Sequence, residues 1–191
     1  VDLRRGRRIK LRDDRPGTCE WNGRRLLVGE TMVISAGTVV SGDTVFRPGW
    51  IASVDGIIVE VGEGEPNERA DHEFPSGTAI PGFVDMHVHG GGGASYTDGD
   101  PDEVRRASDF HRANGTTTTV TSTVSAAPAD LLRIVERLRT QVRAGISAGI
   151  HLEGPWISHD RCGAHDPATL HSPASDEIDR ILDVAEGTVA M

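Results

Sequence analysis

Two short segments hold the residues best suited to chemistry. They are Pro81-Gly82-Phe83-Val84-Asp85-Met86-His87-Val88-His89-Gly90 and His151-Leu152-Glu153-Gly154-Pro155. An apolar run ending in His-x-His places both imidazoles on one face of a strand, because strand side chains alternate with period 2. Two imidazoles side by side can hold a divalent metal from one direction. Glu153 closes a second strand-like run just before a Gly-Pro break and can add a carboxylate oxygen. His87, His89 and Glu153 are therefore the expected metal ligands, for one or two ions, and a mixed nitrogen and oxygen set suits zinc, iron or manganese. The chemistry such a centre supports is hydrolysis by a metal-activated water. If both strands belong to one barrel, the three side chains face its mouth, where barrel enzymes carry out their reactions.

The remaining polar residues of these segments have plainer readings. Asp85 alternates in phase with His87 and His89, either as an acceptor that orients a histidine or as a polar residue beneath the site. His151 lies two residues before Glu153 on the same strand face and reads as a hydrogen-bonded core histidine. His159 and His171 read as loop residues, and His72 and His111 fall outside any site. The Gly90–Gly93 run either lets backbone approach a ligand closely or serves as a flexible connector. It is not a phosphate loop, since no Gly-Lys-Ser/Thr follows.

The elements that must position these residues are legible in the pattern. Residues 32–40 read as a strand, followed by strands at 49–54 and 57–61 around Asp55-Gly56, a strong hairpin signal. Residues 62–78 are polar and rich in Gly and Glu, a loop with a short edge strand. From residue 79 strand and helix alternate: a strand over 79–89, a helix opening at Asp100-Pro101 with Glu103 in its first turn, and a Thr-rich strand over 116–124. An amphipathic helix over 128–143 follows, then a strand over 148–153, a polar loop over 154–172, a helix over 175–186 and the start of a fourth strand at 187–191. Alternating strand and helix implies an α/β fold with a parallel sheet and right-handed crossovers. A full eightfold barrel takes roughly 250 residues, so the expected fold is the first half of a (β/α)8 TIM barrel, three to four βα units over 79–191, behind a small β-sandwich domain over 32–78. Residues 1–31 are crowded with arginine and lack apolar periodicity. They read as a disordered or non-native extension, with a basic tail as the alternative.

Composition excludes several classes. The chain has 191 residues and a net charge of -9, which disfavours nucleic acid as a partner because phosphate binding needs a basic surface. No apolar run approaches the roughly 20 residues of a membrane span, and no signal-peptide stretch opens the chain. Two cysteines, Cys19 and Cys162, do not make a disulfide framework, so a cytoplasmic location is expected.

Taken together, residues 81–93, His151-Leu152-Glu153-Gly154-Pro155-Trp156-Ile157-Ser158 and Gly163-Ala164-His165-Asp166-Pro167 resemble the N-acetylglucosamine-6-phosphate deacetylase family of the amidohydrolase superfamily. The resemblance runs from about residue 32 to 191, the front half of that family's usual length. It implies a distorted (β/α)8 barrel and removal of acetate from N-acetylglucosamine 6-phosphate. It carries the metal-ligand role onto Glu153, with His87 and His89 as the pair found in two-metal members. Ala164 and His165 match a substrate-contacting pair. Apart from the resemblance, Cys162, next to Gly163 in the same loop, either lines this substrate pocket, sits on a mobile lid or is an ordinary loop thiol. Some superfamily members bridge two metals with a carboxylated lysine. Lys10, the single lysine, lies outside the barrel region, which makes Glu153 its natural substitute. The resemblance further implies a homodimer at full length, two later metal histidines, and a catalytic aspartate expected beyond Met191. The alternatives are a D-aminoacylase-like amidohydrolase and an inactive half-protein.

Overall fold

The computed structural model describes residues 18–21, 24–27 and 30–191. Of the arginine-rich stretch 1–31, strands β1 (Thr18–Trp21) and β2 (Arg24–Leu27) pair antiparallel. The rest of that stretch up to residue 29 lies outside the described residues. The chain divides into two compact units, the first closing at Pro81 and the second opening at Gly82.

In the first unit β3 (Thr31–Ser41) organises a five-stranded sheet. It pairs antiparallel with β4 (Thr44–Phe46) and β5 (Gly49–Val54) and parallel with β7 (His72–Ala79). The predicted hairpin is present: β5 turns through Asp55 and Gly56, both at positive φ, into β6 (Ile57–Glu63). Trp50 is buried here, and it can be because a Cβ on Gly62 would fall 2.5 Å from its ring. The glycine is thus part of the packing rather than a loop residue.

The second unit is mixed α/β. Strand β8 (Phe83–Val88) leads through a tight pair, β9 (Gly90–Gly91) and β10 (Ala94–Ser95), into helix α1 (Pro101–Ala113). Then come β11 (Thr116–Ser122), α2 (Pro128–Arg143), β12 (Gly149–His151) and α3 (Ser175–Ala185). The sheet order is β12-β11-β8 and all three strands are parallel, as alternating elements require. Val189 adds a parallel bridge to Ile150 where the sequence suggested a fourth strand. Helix α1 starts as its residues dictate. Asp100 caps the amides of Asp102 and Glu103, and Pro101, which has no N–H to satisfy, occupies the first turn.

Three local expectations needed correction. The strand expected over 79–89 is two strands: β7 ends at Ala79 and β8 begins at Phe83. Pro81 cannot donate to a ladder, and a Cβ on Gly82 would lie 2.1 Å from Thr117 Oγ1. The strand expected over 148–153 stops at His151, which leaves Glu153 just past its end. The inward face that helical spacing predicts for α1, at Val104, Ala107, Phe110 and His111, holds at Val104 and Ala107 but not at Phe110, which is exposed, while Ser108 is buried against the Tyr96 hydroxyl at 3.3 Å.

The core of this unit joins Tyr96, Val104, Leu131, Val135, Leu138, Ile150 and Ile181 between the sheet and the helices. Leu138 is fully buried. Leu138→Ala should therefore lower the unfolding free energy by about 2–5 kcal/mol, as read from urea denaturation followed by far-ultraviolet circular dichroism.

Candidate metal centre

The site is assembled where the three parallel strands end. Their register sets Val88 beside Thr121 and Ser122 beside His151, so residues flanking those positions meet at one level. His87 is the penultimate residue of β8, and His89 and Glu153 stand just beyond the ends of β8 and β12. The Nε2 atoms of His87 and His89 each lie 2.7 Å from Glu153 Oε2 and 3.3 Å from each other. His87, His151 and Glu153 likewise bring one ligand atom each within 4.8 Å of one another. The His87 ring stacks edge-on against His89 at 5.3 Å and His151 at 4.7 Å.

Two donors on one ion with bonds of about 2.0–2.2 Å stand roughly 2.8–3.6 Å apart; the 3.3 Å imidazole pair lies in that span, and the two 2.7 Å contacts to Glu153 are hydrogen bonds just below it. The donor set fits as well. Two imidazole nitrogens and a carboxylate oxygen converge. Burial works against ionisation of Glu153, but hydrogen bonds with His87 and His165 and the charges of His87 and His89 outweigh it. The carboxyl is held below the usual carboxylate range, as a metal ligand needs. Burial, followed by the like charge of His87, pushes the His151 imidazole below its ordinary value, which favours the neutral form that binds metals.

His151 is the residue that the sequence reading undervalued. Its Nδ1 is hydrogen-bonded to Ser122 Oγ at 3.0 Å, so the core reading has a basis. Yet its ring borders His87 and Glu153. Ser122 was not identified at all. Its hydroxyl accepts the backbone N–H of Val88, between the two histidines, at 3.1 Å while it holds His151. A serine in a Thr-rich strand gives no individual signal, and only the register shows what it bridges. Asp85 accepts the backbone N–H of His87 at 3.2 Å and so supports the strand end rather than an imidazole.

The glycine run is packed rather than a loose connector. Gly92 and Gly93 turn at positive φ, and α1 packs against the run: His111 Nε2 donates to Gly90 O at 3.0 Å, and a Cβ on Gly91 would meet that nitrogen at 2.5 Å.

Beside the metal candidates lies a cavity of about 500 Å³, lined by His89, Glu153, Arg161, Cys162, Ala164 and His165 among others. His165 is nearly buried. Its Nδ1 accepts the Ser125 backbone N–H at 3.1 Å and contacts Ser125 Oγ. This assigns the proton to Nε2, which stands 3.4 Å from Glu153 Oε1. His165 thereby joins the cavity to the second oxygen of the carboxylate. His159 sits in a short 3-10 turn (His159–Arg161) and His72 in β7 of the first unit.

At the far end of the same loop, hydrogen bonds to Glu177 and to Thr169 O raise the His171 pKa above its ordinary 6.5. Two outcomes are expected. Glu153→Gln should weaken zinc binding by more than the roughly 10–100-fold typical of lost outer partners, measured by calorimetry and metal content. Stabilisation from His171 is fully present below pH 6.5 and is lost as pH rises through its raised folded-state value. His171→Asn should therefore flatten the alkaline fall in unfolding midpoint.

No family model matches the chain. Among curated proteins it is 29% identical over 151 residues to N-acetylgalactosamine-6-phosphate deacetylase of Escherichia coli O157:H7, covering 74% of this chain and 39% of that protein. It is 28% identical over 147 residues to N-acetylglucosamine-6-phosphate deacetylase of Bacillus subtilis (strain 168), covering 72% and 37%. The N-acetyl-D-glucosamine-6-phosphate deacetylase of Mycobacterium smegmatis, solved as an aspartate-to-alanine variant in complex with N-acetyl-D-glucosamine-6-phosphate, is similar over 84% of this chain and 42% of its own. That match has 50% identity and a TM-score of 0.79. The chain thus spans about two fifths of the length of the relatives it matches. Over the part they share, the chain is similar to N-acetylglucosamine- and N-acetylgalactosamine-6-phosphate deacetylases.

Proposed function

We propose that the protein carrying this chain removes acetate from N-acetylglucosamine 6-phosphate, giving glucosamine 6-phosphate, as a metal-dependent amide hydrolase of amino-sugar catabolism. The observation that carries the reading is the convergence of His87, His89 and Glu153 beside the cavity lined by Cys162, Ala164 and His165. The parallel strands of the second unit are read as the opening βα units of a (β/α)8 barrel, and residues 32–78 as part of a small β-sandwich. His87, His89 and Glu153 would hold one or two divalent ions, zinc, iron or manganese, with His151 at their side. A bound ion of this kind supplies Lewis acidity toward the amide carbonyl and a water acidic enough to attack at neutral pH.

The chain's own residues do the rest. Glu153 contributes negative charge, and His165, with its proton on Nε2, offers a donor at the cavity wall. Ala164 leaves room beside it for the sugar, and Cys162 closes the same wall. Handing the proton to the leaving amine also requires a general acid–base group, which the resemblance gives as an aspartate. The net charge of -9 supports a small-molecule substrate over nucleic acid. No helix among the described residues is long and apolar enough to cross a membrane. A homodimeric cytoplasmic enzyme is the accompanying reading.

The test is acetate release by the zinc-loaded protein at its native length. N-acetylglucosamine 6-phosphate should turn over, dipicolinate should abolish the activity, and added zinc should restore it. Release of acetate from N-acyl amino acids instead would favour a D-aminoacylase-like enzyme. No turnover of either by a fully metallated protein would overturn the hydrolase reading.

A further inference from the structure

Glu177 is a buried carboxylate that the metal chemistry does not use. It sits in the first turn of α3 and is only 6% exposed. Its Oε2 accepts the indole N–H of Trp156 at 3.1 Å. His171 Nε2 reaches Oε1 at 3.0 Å and Oε2 at 2.9 Å. The other nitrogen of His171 lies 3.1 Å from Thr169 O, so both ring nitrogens face acceptors and the doubly protonated form satisfies both.

Trp156 and His171 are the two ends of one loop. Between them stand Arg161, Cys162, Ala164 and His165, which line the cavity beside Glu153. The intervening chain has only two 3-10 turns (His159–Arg161 and Pro167–Thr169) and no helix or strand. His171 N–H also donates to Pro155 O at 3.4 Å, closing the loop's base on itself. A single carboxylate therefore clasps the entrance and exit of the segment that forms one wall of the cavity.

Stability alone gives little reason for a charge here. A buried ion pair adds little over apolar residues of similar volume, because desolvation offsets the attraction. What it does provide is directional hold: two donors on fixed geometry, made at a helix N-terminus where a carboxylate is favoured.

We propose that Glu177 is a positioning residue for the cavity: by holding Trp156 and His171 it fixes where Cys162, Ala164 and His165 stand relative to Glu153. The role in substrate binding rests on the deacetylase reading above; the anchoring of the loop does not.

The test compares wild type with Glu177→Gln in the zinc-loaded protein at native length. Glutamine keeps the shape and the one oxygen that Trp156 and His171 both reach, but it loses the charge and sets an amide NH2 against His171 Nε2 where Oε1 stood. Alkylation of Cys162 by iodoacetamide, followed by peptide mass spectrometry against a reference peptide, should quicken about 10-fold, the equivalent of one lost charge-assisted hydrogen bond. KM for N-acetylglucosamine 6-phosphate should rise about 10-fold while kcat stays within about 2-fold, the pattern of lost binding without lost chemistry. Zinc content should not change. Trp156→Phe, which removes the indole N–H together with part of a ring that packs against the core, should shift Cys162 reactivity and KM the same way, and it decides the matter if Glu177→Gln does not fold. Faster alkylation in a protein that does not deacetylate the sugar would keep the anchor and overturn the functional reading. Normal turnover with unchanged Cys162 reactivity and KM in the variants would overturn the anchor and keep the function. Loss of kcat and zinc together would also overturn the positioning role.

Discussion

The candidate metal centre depends on three parallel strands that end at the same level. Because β8, β11 and β12 run in one direction, with Val88 opposite Thr121 and Ser122 opposite His151, whatever follows each strand emerges on one side of the sheet. Residues far apart in the chain, His87, His89, Ser125, Glu153 and His165, are thereby gathered within hydrogen-bonding range. An antiparallel arrangement would send alternate strand ends to opposite sides and leave the carboxylate without its imidazoles.

Bringing so many polar groups together under a packed sheet demands partners for each, since an unpaired buried polar group is costly. The Thr- and Ser-rich strand β11 meets that demand. Thr121 Oγ1 donates to Gly149 O at 3.2 Å and Ser122 bridges Val88 and His151; just before β12, Ser147 Oγ lies 3.0 Å from Thr119 O and 2.8 Å from Gly149 O, with one proton to give to either. An all-aliphatic strand would pack as well but would leave the mouth of the sheet without these tethers. The buried hydroxyls fix the strand ends, and the strand ends fix the imidazoles.

Two loops complete the arrangement, and each is held by a helix. The turn after His89 is pinned by His111 of α1, whose Nε2 donates to Gly90 O, and its glycines let the helix approach. The loop after Glu153 is clasped at both ends by Glu177 of α3. The helices thus cover the sheet with their apolar faces and steady the functional loops with a few polar residues. This division explains why histidines outside the site, His111 and His171, are satisfied rather than idle.

Much of this was legible in the chain. Helix α2 and the start of α1 follow from periodicity, a proline and a capping aspartate, all local signals. The βα alternation implied the parallel sheet, and the His-x-His and Glu-Gly-Pro segments pointed to candidate ligands that the fold brings together. The strand limits were less legible, because Pro81 and Gly82 interrupt an apolar run that looks continuous and Glu153 only appears to belong to its strand. What the sequence by itself determined was which elements form and which residues have metal-binding chemistry, since both follow from residue type and short-range spacing. The tertiary structure alone decided that His151 borders the ligand group, that Ser122 ties two strand ends, that His165 reaches Glu153, and that Glu177 holds a loop. Each of these is a contact set by strand register or by packing of distant segments, and no local pattern encodes it.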